Sequence, residues 1–185
     1  MIADASVTNP PACRRLTELP AVAATPLPPA VVVEGRSIPE PHRTLLVHER
    51  DMTRTLEQFH GRTVHLEVLR RLRLEGGIYG REVVLRLDGS NRPVEFGVTQ
   101  VHLDQFPEPW RTQILEERLP LGAILNQSGI PYTSRPSAWL RFQCDDFIAG
   151  IFGLSDRPNL YGRRNTLRKE HGDVLAEIIE ILPPA

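Results

Sequence analysis

The chain has 185 residues, 41% of them apolar and 24% charged, with a formal net charge of −1. That is enough chain for one domain with a sizeable core, and the near-neutral balance gives no overall pull toward nucleic acid or an anionic membrane, so any anion affinity must come from local clusters. The two cysteines, Cys13 and Cys144, lack metal-ligand spacing, and the six histidines form no H-x-x-H or H-E-x-x-H pattern, so no metal site is expected.

Residues 1–40 are crowded with proline (Pro10, Pro11, Pro20, Pro26, Pro28, Pro29 and Pro39 among them) and small side chains. This composition predicts an extended or disordered segment with a short helix around Cys13 to Leu19 and an edge strand at Val31-Val32-Val33. It is too rich in proline for a helix-turn-helix. There is no basic n-region followed by an apolar run, and no apolar stretch long enough to span a bilayer, so a cytoplasmic location is expected.

The globular domain is expected over residues 41–185. Pro41 suits the first turn of a helix through Leu45, Leu46 and His48. Asp51 reads as the N-cap of a second helix, Met52 to His60, stopped by Gly61 and burying Leu56 and Phe59. Its opening N–H groups could face an anion, or the cap could simply finish a surface helix. Three strands follow, Arg62 to Leu74, Tyr79 to Leu87 and Pro93 to Leu103, joined at Gly76-Gly77 and Asp88-Gly89-Ser90-Asn91 as an antiparallel meander. In the second of these, alternation places Arg81, Val83 and Leu85 on one face. An arginine among apolar neighbours needs a carboxylate, supplied either by Glu82, Glu95 or Glu67 as a structural ion pair or by a ligand.

Pro107 and Pro109 open a helix over Trp110 to Arg118 that turns Trp110, Ile114 and Leu115 inward. In Leu119-Pro120-Leu121-Gly122 the proline ends one helix and begins the next. Its glycine permits close packing, and the new helix start carries orphan N–H donors. Asn126 to Pro136 reads as loop, Ser137 to Cys144 as a fourth strand, and Phe147 to Gly153 as a short helix or flap. The chain closes on a hairpin, Tyr161 to Lys169 and Val174 to Leu182, around His171-Gly172-Asp173. The second arm is apolar on both faces, with one carboxylate on the face of Val174, Ile178 and Leu182 (Glu180) and one on the other (Glu177). A strand covered on both sides puts such carboxylates where water is scarce.

The run YGRRNTL, a glycine-centred turn and a strand ending E-x-x-P resembles the C-terminal signature of the chorismate pyruvate-lyase family. Met52-Thr53, Arg81-Glu82, Pro120-Leu121-Gly122 and Gly162-Arg163-Arg164 resemble that family's other motifs in the same order, discontinuously from Leu45 to Pro184, and residues 145–159 look like an insertion. The resemblance implies a chorismate lyase-like α+β fold, one antiparallel sheet of about six strands covered by helices. It implies a carbon–oxygen lyase that eliminates pyruvate from chorismate to leave 4-hydroxybenzoate, without cofactor, in a monomer or homodimer. On that reading Glu180 is the general acid and Arg81 the carboxylate clamp, with Met52, Leu121 and Arg163 completing the substrate site. One extra residue lies between Gly172 and the glutamate, so a register slip decides whether Glu180 or Glu177 faces the pocket. The same fold also serves as a small-molecule sensing domain, which is the alternative: a binding protein for an aromatic or carboxylic acid that transforms nothing.

Overall fold

The computed structural model describes residues 27–73 and 76–185; the expected helix around Cys13 to Leu19 lies outside them. Its frame is one antiparallel sheet of seven strands. They are β1 (Ala30–Val33), β2 (Val64–Arg73), β3 (Ile78–Leu87), β4 (Pro93–His102), β5 (Tyr132–Gln143), β6 (Asn159–Lys169) and β7 (Val174–Leu182), in the spatial order β1-β5-β6-β7-β4-β3-β2. The expected meander is β2-β3-β4 and the expected hairpin is β6-β7. β7 joins the two by pairing with β4 as well as β6. The seventh strand is β1, the edge strand that Val31–Val33 offered, paired through Val33↔Trp139 to β5. Its Val32 is 66% exposed, whereas Ile38, just beyond a 3₁₀ turn at Gly35–Ser37, is buried in the core.

Among the described residues five α-helices complete the fold: α1 (His42–Leu46), α2 (Met52–His60), α3 (Trp110–Glu116), α4 (Leu121–Ser128) and α5 (Asp146–Phe152). Asp51 caps α2 by accepting from the N–H groups of Thr53 (3.1 Å) and Arg54 (3.2 Å), and Gly61 ends it at φ 62°. The segment 145–159 contains a helix, α5, capped by Asp145. It packs on the back of the sheet, where Ile148 and Phe152 meet Phe96, Phe142 and Ile181. β5 starts at Tyr132, so much of the expected loop over 126–136 is the end of α4 and the start of a strand. Two expected buried side chains point outward instead: Phe59 is 48% and Leu115 is 41% exposed. In both helices a single apolar residue per turn, Leu56 in α2 and Ile114 in α3, suffices to reach the core.

On the front of the sheet the helices fall into two groups. Leu45 and Leu46 of α1 with Met52 and Leu56 of α2 cover Leu85, Leu87 and Leu182 at one end. Ile114 of α3 with Leu121, Ile124 and Leu125 of α4 cover Tyr79, Val101, Leu167 and Ala176 at the other. The strip of sheet between them is where the cavity lies. The register question is settled in β7. Pairing jumps from Leu167↔Ala176 to Arg168↔Val174, so Leu175 is a bulged extra residue, and Leu175 and Ala176 are both buried in the same cluster. The bulge absorbs the additional hairpin residue and leaves Glu180 on the front face, opposite Gly97 of β4 and Arg163 of β6. Glu177 lies on the back, half-buried and 3.3 Å from Arg164.

Candidate small-molecule site

The floor of the cavity is built from rows of facing residues across the sheet. One row runs Arg81↔Thr99, Thr99↔Ile178 and Ile178↔Asn165. The next runs Val83↔Gly97, Gly97↔Glu180 and Glu180↔Arg163. A third begins Leu85↔Glu95. Period-two alternation keeps all of these on one side of the sheet. The roof is made by the starts of α2 and α4, which approach so closely that a Cβ on Gly122 would lie 2.2 Å from Asp51 Oδ1 and 2.9 Å from Thr53 Oγ1. Asn126 of α4 completes the contact by donating to Asp51 Oδ2 at 3.0 Å. The cleft is partly open at its mouth, and about 50 Å³ of it is free to the centre of a water molecule. A recess beside it, lined by Arg50, Arg54, Gln58 and Tyr132, shares Asp51 with it.

Two arginines on this face are fully buried, and they are satisfied in opposite ways. Arg163, 0% exposed, gives its Nε–H to Glu180 and donates through Nη1 to the carbonyl of His48 (2.9 Å) and through Nη2 to that of Arg50 (3.3 Å). It therefore pins the link between α1 and α2 onto the sheet and sets where α2 begins. His48 sits against that guanidinium, and burial followed by the Arg163 charge pushes its pKa down to about 4. Arg81, 1% exposed, has no such company: among the described residues its Nε and Nη1 have no hydrogen-bond partner. Burial works against its charge, and Tyr79 and Glu117 offset only part of that. The structural ion pair that Glu82, Glu95 or Glu67 could have formed with it is absent among the described residues; Glu82 pairs with Arg70 at 3.7 Å and Glu67 with Arg86.

Opposite Arg81, at the far end of the apolar floor, stands Glu95. It folds over Gly97, where a Cβ would lie 3.2 Å from its Oε1. Burial first, and then the neighbouring Glu180 and Asp51, hold its carboxyl well above the ordinary carboxylate range, with Arg163 pulling the other way. Its Oε2 has no hydrogen-bond partner among the described residues. Asn165, also buried, donates through Nδ2 to Ser134 (2.9 Å) and leaves Oδ1 unused.

Of the residues expected to form a site, Met52, Arg81, Leu121 and Glu180 line this cavity together, while Arg163 lies one layer behind Glu180. The opening N–H groups of α2 are not free for an anion, because Asp51 occupies those of Thr53 and Arg54. α4, by contrast, starts at Pro120 with no side-chain cap. Sequence reasoning missed Glu95, Asn165 and Asp51 as cavity groups. Glu95 carried the same signal as Glu180, a carboxylate in an otherwise apolar stretch of central strand.

No family model matches the chain, and no curated protein matches it. Solved structures do. PhnF from Mycobacterium smegmatis matches with a TM-score of 0.57 at 12% identity, over 74% of this chain and 64% of that one. The effector domain of PhnF alone gives 0.53 at 12%, over 71% and 87%. A transcriptional regulator of the GntR family from Bacillus cereus gives 0.46 at 13%, over 65% and 92%. The fold is the chorismate lyase-like one. The chain spans less than two thirds of the length of PhnF. The expectation of a carbon–oxygen lyase is overturned: the fold is shared with PhnF and with its effector domain, neither of them a lyase. The geometry gives a physical reason. Glu180, expected to deliver a proton to substrate, instead accepts from the buried Nε–H of Arg163, and the pair is sealed from solvent. Among the described residues no helix is long and apolar enough to cross a membrane.

Proposed function

We propose that this chain is a small-molecule binding domain that holds an organic acid, aromatic or aliphatic, between its sheet and the starts of α2 and α4 without converting it. The observation that carries this reading is Arg81, a buried guanidinium aimed at a cavity with two donors unused. A folded chain keeps a charge in that condition only where something outside the chain answers it, because an unpaired buried charge costs several kcal/mol. An acid bound there would accept a bidentate, charge-assisted pair of hydrogen bonds. Met52, Leu121, Val83 and Ile178 would cover its apolar body, and the uncapped start of α4 favours the same sign of charge. The likeness to an effector domain supports binding over chemistry.

The test is thermal stability and titration calorimetry with chorismate, 4-hydroxybenzoate, benzoate and inorganic phosphate, on the wild type and Arg81→Met. At least one acid should stabilise the wild type and be recovered unchanged. Arg81→Met should weaken its binding by roughly 10–100-fold, the equivalent of one charge-assisted interaction. Equal binding by both proteins would remove the proposal.

A further inference from the structure

Arg81 occupies only one end of the cavity. The other end is acidic: Glu95, Glu180 and Asp51 come from β4, β7 and the cap of α2, and among the described residues Glu180 is the one hydrogen-bonded to a buried cation, Arg163. Asp51 is spoken for by two N–H groups and Asn126. That leaves Glu95, 5% exposed, whose Oε2 has no partner among the described residues and lines the same space as Arg81. Four residues of strand separate the level of Arg81 from that of Leu85, the cross-strand partner of Glu95. At about 3.3 Å per residue the two backbone positions are about 13 Å apart. Once both side chains reach inward, a compact molecule lying over Val83 would touch both.

Resting on the acid-binding reading above, we propose that the ligand carries an ammonium group at the end remote from its acid, so that it is a small amino acid-like ampholyte held between Arg81 and Glu95. A plain acid would satisfy the guanidinium and leave Glu95 facing methyl groups. A hydroxyl would give its oxygen one donor. An ammonium would do more, because it favours the ionised carboxylate at a place where Glu180 and Asp51 already disfavour a third negative charge. The proton count balances: where the Glu95 carboxyl holds its proton before binding, it and the ligand ammonium become a carboxylate–ammonium pair, and that proton passes to the buffer.

Three probes of matched shape separate the possibilities: 4-(aminomethyl)benzoate, 4-(hydroxymethyl)benzoate and 4-methylbenzoate. The amine should bind at least tenfold more tightly than the methyl compound. Calorimetry in two buffers of different ionisation enthalpy should show proton release on binding the amine that the other two do not show. Glu95→Gln keeps the shape but cannot ionise. It should abolish the proton release and most of the amine's advantage over 4-methylbenzoate. If the methyl compound binds as tightly as the amine, or the amine does not bind, the proposal is overturned. The acid-binding reading survives that result and falls only if no acid distinguishes the wild type from Arg81→Met.

Discussion

Replacing Arg81 by methionine should make the ligand-free protein more stable, not less. The guanidinium is 1% exposed and two of its nitrogens have no partner among the described residues, so the folded state carries a desolvation cost that the unfolded chain does not. Methionine keeps most of the length and the apolar stem while removing that cost. Exchanging buried ionic groups for apolar ones stabilises proteins by about 1–4 kcal/mol where the charge is poorly answered. In a domain of this size each kcal/mol moves Tm by roughly 2–4 °C, so a rise of at least about 2 °C is expected, with a matching increase in urea midpoint and an unchanged m-value. Tyr79 and Glu117, which favour the charged form from nearby, set the lower end of that range. Denaturant and thermal unfolding without ligand provide the assay. A loss of more than about 1 kcal/mol would mean that Arg81 is a structural residue with partners of its own, and the case for a receptor at that position would collapse.

The opposite outcome is expected at Glu180. Truncation to alanine strands the fully buried Arg163, and breaking such a pair by removing one member costs about 3–5 kcal/mol in equilibrium unfolding. Gly122→Ala places a methyl against Asp51 and Thr53, so the cap of α2 and the Asn126 bond must give way, with a loss of roughly 1–3 kcal/mol and weaker binding in the same preparation. Glu95 fixes a pH dependence. Its carboxyl is held well above the ordinary 4.5, so the folded state binds more protons than the unfolded state and stability falls as pH rises from about 4.5. In Glu95→Gln that slope should disappear, and the difference in Tm between variant and wild type should move in the variant's favour from pH 4.5 to 7.5. A constant difference would remove Glu95 as the titrating group.

Much of the site was legible because strand alternation is local. Arg81 on one face with Val83 and Leu85, and Glu180 among Ile178, Ile179 and Ile181, announced buried charge by their neighbours alone. The cap at Asp51 and the joint at Pro120-Leu121-Gly122 were equally readable, since each is chemistry within four residues. What could not be read is pairing across the chain. Nothing near Arg163 in sequence says that its guanidinium meets Glu180 and the carbonyls of His48 and Arg50 rather than a ligand. The resemblance that named an acid and a clamp located four of the five expected positions in one cavity, but it could not report that the acid is tied to Arg163. Glu95 was overlooked because its role depends on Gly97 leaving room for it and on β4 lying next to β7, and only the assembled sheet shows either.

The placing of β7 has a consequence for how this protein is made. β7 is inserted in the middle of the sheet, between β4 and β6, so during synthesis the meander β2-β3-β4 emerges first, with the inner edge of β4 bare and Val98 and Val101 lacking their neighbours on β7, Ile179 and Ala176. An open strand edge of this kind recruits other chains. Until β7 (Val174–Leu182) leaves the ribosome the domain has neither a continuous sheet nor a complete pocket floor.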